Sequence, residues 1–344
     1  MRVAIFHGAG QPITIEQAEM PQPGPDDVLI KVHRCGICGS DISMTGPAPY
    51  TYQPGLIGHE YAGEVVEVGR NVAHLAVGQK VAALPGTPCG QCDGCRRTGG
   101  AVFCSNPHRA ANGTTGFGGF GEFVTIPAGG AIALPDALSM ADGALVEPMA
   151  CGLHALNMAA MQPGARMLVL GAGSMALAMI YWARRLGAGR IIVASRSAHR
   201  RDVAMAMGAD GFHSFAEDDP AQLAALLGGM PQIVAECVGK PGMLAKAVEQ
   251  VAPQGTVISL GMCQHGEPIT ASLCNFKEAR LLFPVAYSVA EFAETARAFD
   301  GGHVDPALMV SDVIGLEQLP DTIEAMRAGT LQSLKILVDP QTGP

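Results

Sequence analysis

The chain has 344 residues, of which 48% are apolar and 15% charged, with a formal net charge of -9. That length suits two domains rather than one hydrophobic core, and so much apolar material excludes disorder. The acidic balance excludes a nucleic-acid partner, which needs a basic face, and no apolar run approaches the ~18–20 residues that span a bilayer.

In chain order, Met1-Arg2-Val3-Ala4-Ile5-Phe6 is too short and too soon interrupted for a signal peptide, so a cytoplasmic location is expected. The first 150 residues are rich in Gly and Pro and carry short β-type runs: 28–32, 63–68 and 80–84. Turn signals bound each run, which predicts a twisted antiparallel sheet or partial barrel. Within this region Gly36-Ile37-Cys38-Gly39-Ser40-Asp41 sets a thiol in a glycine-rich turn, and Gly58-His59-Glu60 offers an imidazole beside a carboxylate. Glu147, in Val146-Glu147-Pro148, is a further candidate carboxylate. One Cys, one His and one carboxylate with an open position meet the needs of a catalytic zinc. Singly, each is equally a hydrogen-bonded group of core or surface, and Cys35 with Cys38 also has the C-x-x-C spacing of a redox pair.

Cysteine usage points the same way. Six of the ten cysteines fall in the first third of the chain. Cys89-x-x-Cys92-x-x-Cys95 followed by Cys104 supplies four thiolates in one loop, the spacing that wraps a tetrahedral structural zinc. An iron–sulfur cluster or redox thiols are the alternatives, and nothing else in the chain suggests electron transfer.

Past Cys151 the texture changes to strands alternating with helical stretches, at 165–170, 190–194, 232–236 and 255–260, which predicts βαβ units on a parallel sheet. The first of these strands enters Gly171-Ala172-Gly173-Ser174-Met175-Ala176, a G-x-G-x-x-A loop that opens a helix. Gly171 permits the tight turn, and Gly173 lets the backbone approach a pyrophosphate at the helix N-terminus. The next strand ends in Ser195-Arg196-Ser197, with Arg200 and Arg201 one turn on, where NAD sites usually carry a carboxylate. With no carboxylate to repel a 2′-phosphate and a guanidinium to clasp one, NADP is expected over NAD; the bland alternative is that these arginines merely solvate a helix start.

With these residues in hand, the chain resembles the zinc-containing medium-chain dehydrogenases, in their sorbitol (polyol) dehydrogenase-like branch. The likeness covers essentially the whole length, from Gly58-His59-Glu60 and the four-cysteine lobe to the closing Leu334-Lys335-Ile336-Leu337-Val338. It implies an α/β fold with a GroES-like β-rich catalytic domain (1–150 and 286–344) and an inserted Rossmann doubly wound parallel-sheet coenzyme domain (151–285). It also implies that Cys38 and His59 bind catalytic zinc, that Glu60 or Glu147 supplies the carboxylate, and that Ser40 accepts the alcohol proton. Cys89, Cys92, Cys95 and Cys104 would hold structural zinc, and Cys151 would be structural. Two departures stand out: Ser43 occupies the place where many relatives have a proton-accepting His, and the lobe has eight residues between Cys95 and Cys104 instead of seven. The implied activity is hydride transfer between a secondary alcohol or polyol, or the matching ketone, and NAD(P), by a homodimer or homotetramer. The residues 44–52 would border the substrate pocket. The competing readings are a zinc-free quinone or enone reductase on the same fold and a non-catalytic binding protein.

Overall fold

The structure, a computed structural model, describes residues 1–47, 50–110, 116–214, 220–299 and 305–343. Ala48 and Pro49 of the expected pocket loop lie outside the described residues. The chain splits into two compact units: Met1–Glu147 with Tyr287–Gly302 and Val310–Pro344, and Pro148–Ala286 with His303–Met309. The division at 147/148 falls inside the helix Met140–Ala159. Pro148 within that helix has no N–H, so the carbonyl of Ala144 goes without its usual donor.

The first unit is built on a seven-stranded sheet. Its path runs Val310–Gly315, Lys335–Asp339, Asp27–Gly36, Glu60–Val68, Lys80–Ala83 and Ala131–Ala133, and Phe123–Pro127 also pairs with Asp27–Gly36. All pairings are antiparallel except that of the two C-terminal strands. A second sheet joins Ile13–Gln17, Arg2–Phe6 and Gly55–Leu56. Alternation explains the main strand: Val28, Ile30 and Val32 are wholly buried, one face of a period-two pattern. They share a core with Phe6, Phe120, Leu316, Ile323, Ile336 and Val338, so the C-terminal residues complete this unit and do not merely trail from it.

The second unit is a six-stranded sheet in the order Gly211–Ser214, Arg190–Ser195, Arg166–Leu170, Ile233–Glu236, Thr256–Ser259 and Arg280–Leu282, parallel throughout. The chain winds outward from Arg166–Leu170 in one direction, returns beside it, and winds outward in the other. The point of reversal lies between Arg166–Leu170 and Ile233–Glu236, and ligands of such sheets bind there, beyond the carboxyl ends of the strands. These central strands are near-continuous apolar runs because both faces are buried, as a parallel sheet requires. The order is that of the doubly wound dinucleotide-binding sheet. The strands Gly211–Ser214, Arg280–Leu282 and Val310–Gly315 had no sequence signal strong enough to announce them.

Candidate active site and metal centres

In the second unit the strand Arg166–Leu170 ends at Gly171, whose φ of +104° favours glycine, and the helix Ser174–Arg185 begins directly after Gly173. Gly171, Ala172, Gly173, Ser174 and Met175 therefore form the strand-to-helix turn, with the free N–H groups of a 12-residue helix behind them. Ala176 is wholly buried, where a larger side chain would push the helix off the sheet. Ser195 closes its strand opposite Ser214. Arg196 is exposed, and it is Arg200 that turns back: its Nη1 lies 3.4 Å from the carbonyl oxygen of Ala172, in the glycine loop itself. Partial burial pulls the Arg200 pKa down.

In the first unit the four lobe cysteines converge, with all four sulfurs within 4.8 Å of one another. Cys89 to Cys95 is 3.9 Å, Cys92 to Cys95 3.5 Å and Cys92 to Cys104 4.0 Å. These are far beyond a disulfide bond but match the edge of a zinc–thiolate tetrahedron, about 3.8 Å for Zn–S bonds of about 2.3 Å. The lobe is arranged by its own backbone: Cys92 caps the helix Asp93–Thr98, and the N–H of Cys89 points at the Cys104 sulfur. The N–H groups of Cys95 and Ser105, with the Ser105 hydroxyl, hold the Cys92 thiol down at about 5. Burial pushes Cys95 up to about 12. The Cys92 thiol is thus poised to ionise at neutral pH, while a bound metal would displace the proton of Cys95.

The second group gathers Cys38, His59 and Glu60, whose ligand atoms also lie within 4.8 Å of one another. Cys38 leaves the long strand Asp27–Gly36 and precedes the helix Gly39–Met44, whose Asp41 accepts the Cys38 N–H at 2.9 Å. His59 directly precedes the neighbouring strand Glu60–Val68, which Glu60 opens. Asp41 is fully buried, and its Oδ1 stands 3.4 Å from His59 Nδ1; neither atom has a hydrogen-bond partner. That geometry sets Nε2 on the Ser40 side of the ring and a carboxylate behind it at Nδ1, the usual support of a metal-binding imidazole. Burial works against a charged His59, but Asp41 and the Cys38 thiol outweigh it and hold the ring's pKa well above its ordinary value. The group is buried, and its donor set of thiol, imidazole and carboxylate fits zinc.

Glu60 is held on its far side. Lys335, on the closing strand, contacts Glu60 Oε1 at 2.8 Å and Oε2 at 2.5 Å and donates to the carbonyl of Ile37 at 3.0 Å. Both partners are at least 98% buried, with side-chain exposures of 2% and 1%. Burial alone would lower the Lys335 pKa, but Glu60 and Cys38 raise it. Among the described residues Glu147 falls outside this ligand group. It accepts a hydrogen bond from the Tyr287 hydroxyl at 2.8 Å, and burial, reinforced by Glu60, lifts it to about 7 against His59.

Ser40 Oγ lies 3.5 Å from His59 Nε2 and accepts the hydroxyl of Tyr52 at 3.0 Å. The Ser40 oxygen has two lone pairs, so it can accept from Tyr52 and also from a substrate hydroxyl. Tyr52 packs edge-on against Phe117, which also touches the His59 ring. Ser43 reaches only the Ser40 carbonyl, at 3.5 Å. Sequence reasoning had no signal for Asp41, Lys335 or Tyr287 as parts of the site, and it took Tyr52 only as pocket lining.

Among the described residues no helix is long and apolar enough to cross a membrane. Residues 24–136 match the alcohol dehydrogenase GroES-like domain family, and residues 171–300 match the zinc-binding dehydrogenase family. Over 312 residues the chain is 32% identical to an L-galactonate-5-dehydrogenase of Escherichia coli, covering 90% of each chain. It is 30% identical to a sorbitol dehydrogenase of Bacillus subtilis, covering 99% of this chain and 97% of that one. Among solved structures it resembles a zinc-binding dehydrogenase of Sinorhizobium meliloti bound to NADP, with a TM-score of 0.87, 30% identity and coverage of 98% and 99%.

Proposed function

The chain belongs to the zinc-binding alcohol dehydrogenase family, in the polyol dehydrogenase-like branch of the medium-chain dehydrogenases, and we propose that it oxidises a secondary alcohol or polyol with NADP. The reading rests above all on the Cys38, His59 and Glu60 ligand atoms gathered within 4.8 Å in a buried pocket. The first unit serves as the catalytic domain and the second as the coenzyme domain. Cys38, His59 and Glu60 would hold a zinc ion, which would supply a Lewis acid for the substrate oxygen, and the bound nicotinamide would supply the hydride acceptor. Asp41 keeps the His59 ring in its ligating orientation. Lys335 neutralises Glu60, and Glu147, held by Tyr287, keeps a second carboxyl beside the group. Ser40 accepts the alcohol proton as its own hydroxyl proton passes outward, and Tyr52, donating to its oxygen, fixes the direction in which that hydroxyl points. Cys89, Cys92, Cys95 and Cys104 hold a structural zinc.

The purified protein should carry two zinc ions per chain, one for each group. It should reduce NADP with a member of a panel of secondary alcohols, diols and sugar alcohols. Zinc in the lobe alone, with no turnover on any panel member, would refute the assignment.

Ser195, Arg196 and Arg200 form the 2′-phosphate site. The strand ends in Ser195, where NAD sites usually carry a carboxylate, and the relative from Sinorhizobium meliloti carries NADP. A charge-assisted contact of this kind is worth roughly 1.5–3 kcal/mol, so kcat/KM should favour NADP by about ten- to a hundredfold. Equal efficiency with NAD in the parent enzyme overturns the preference. The variants Arg196→Ala and Arg200→Ala divide the effect, and Arg200 should account for the larger share because it is already anchored on the glycine loop. The family likeness also supports a homodimer or homotetramer, and sedimentation showing only monomer at micromolar concentration rejects it.

A further inference from the structure

Glu236 ends the strand Ile233–Glu236, directly beside Leu170 at the end of the strand that feeds the glycine loop. It is 2% exposed, and among the described residues it has no ion-pair partner. Burying a carboxylate without a cation is unfavourable unless hydrogen bonds compensate. Here they do: Oε1 accepts the N–H of Val238 at 2.6 Å and that of Gly239 at 2.9 Å. The Glu236 main-chain carbonyl accepts the N–H of Leu260 at 2.8 Å and that of Gly261 at 3.1 Å. One residue therefore ties down the turns that leave two adjacent parallel strands.

Those turns touch main chain to main chain. A Cβ on Gly239, whose φ is +68°, would fall 1.7 Å from the Gly261 oxygen, and one on Gly261 would fall 2.0 Å from the Gly239 nitrogen and 2.7 Å from Glu236 Oε2. The first turn also bears on the coenzyme loop. A Cβ on Gly171 would lie 3.0 Å from Val238 Cγ2 and 3.3 Å from the Cys237 oxygen, and the N–H of Cys237 donates to Leu170 at 3.0 Å. The wall that faces Gly171 is thus Val238, and what fixes Val238 is the carboxylate of Glu236 beneath it. All of this sits at the reversal of strand order, where a dinucleotide crosses the sheet edge.

We propose that Glu236 is a positioning residue of the coenzyme site: its buried carboxylate holds residues 237–239 against Gly171, so the dinucleotide meets a wall already formed. The inference rests on the dinucleotide reading of the glycine loop. A wall that must instead be ordered on binding weakens affinity without touching the reacting atoms, so the effect belongs on coenzyme Kd and KM rather than on kcat.

The test is NADPH fluorescence titration of the zinc-loaded enzyme, with steady-state kinetics, for the parent, Glu236→Ala and Glu236→Gln. The alanine variant should bind NADPH roughly ten- to a hundredfold more weakly, with unchanged zinc content and kcat within about threefold. The glutamine variant keeps an oxygen that can accept both N–H groups, and should restore affinity to within about threefold of the parent. Parent-like NADPH affinity in the alanine variant overturns the proposal, as does a fall in kcat with affinity intact. Should that variant not fold, Val238→Ala removes the wall and leaves Glu236 in place; weaker NADPH binding supports the proposal and unchanged binding defeats it. A parent enzyme that bound neither NADPH nor NADH would overturn the dinucleotide reading along with it.

Discussion

A Lys335→Met variant should lose about 3–5 kcal/mol of folding stability, the usual consequence of removing one partner of a buried ion pair. The methionine can fill the space of the lysine stem, so little of the loss comes from packing. What remains is the Glu60 carboxylate, 1% exposed, stripped of the ammonium that contacts both its oxygens, with the Glu147 carboxyl nearby. The carbonyl of Ile37 loses its donor as well. Denaturant midpoints at fixed zinc concentration measure the effect, and a variant that unfolds at the parent midpoint sinks the claim. The double variant Lys335→Met with Glu60→Gln should recover much of the loss, because a neutral amide does not need the cation.

Replacing His59 with glutamine should lower turnover by roughly a thousandfold, since Lewis-acid activation contributes several kcal/mol to the transition state. Zinc content should fall from two ions per chain to one, the survivor lying in the four-cysteine lobe. Coenzyme affinity should stay close to that of the parent, because Gly171, Gly173 and Arg200 belong to a separate folded unit. A His59→Gln enzyme that kept its second zinc and more than about a tenth of parental activity would remove His59 from the ligand set.

The parts of this protein that could be read from sequence are those that neighbouring residues encode together. The cysteine lobe is one loop, and the glycine turn is one strand-to-helix junction, so spacing alone carries each of them. The alternation of Val28, Ile30 and Val32 and the apolar run at 166–170 announce their strands for the same reason. The gathering of Cys38 with His59 and Glu60 needed a family likeness, because nothing local says that two strands 20 residues apart are neighbours. Lys335 was invisible as a site residue. It reads as one polar residue in a closing strand, and only the sheet order sets it beside Glu60. The two arginines differ in a way that spacing does not show. Arg196 is nearest the strand end in sequence, but the short 3-10 turn Ala198–Arg200 swings Arg200 back over the loop and leaves Arg196 exposed. Glu236 gave no signal either, since a charged strand terminus looks like a solvent edge until its burial is known.

The contact between Glu60 and Lys335 spans 275 residues, which gives the molecule a timetable as it is made. At a synthesis rate of ~5–20 residues per second, Lys335 leaves the ribosome roughly 15–55 s after Glu60. Through that interval the Glu60 carboxylate lacks the Lys335 ammonium, and the long strand Asp27–Gly36 lacks its neighbour Lys335–Asp339. The coenzyme sheet, by contrast, has all six strands once Leu282 has been added. A nascent chain can thus complete its coenzyme sheet well before Lys335 reaches the metal group.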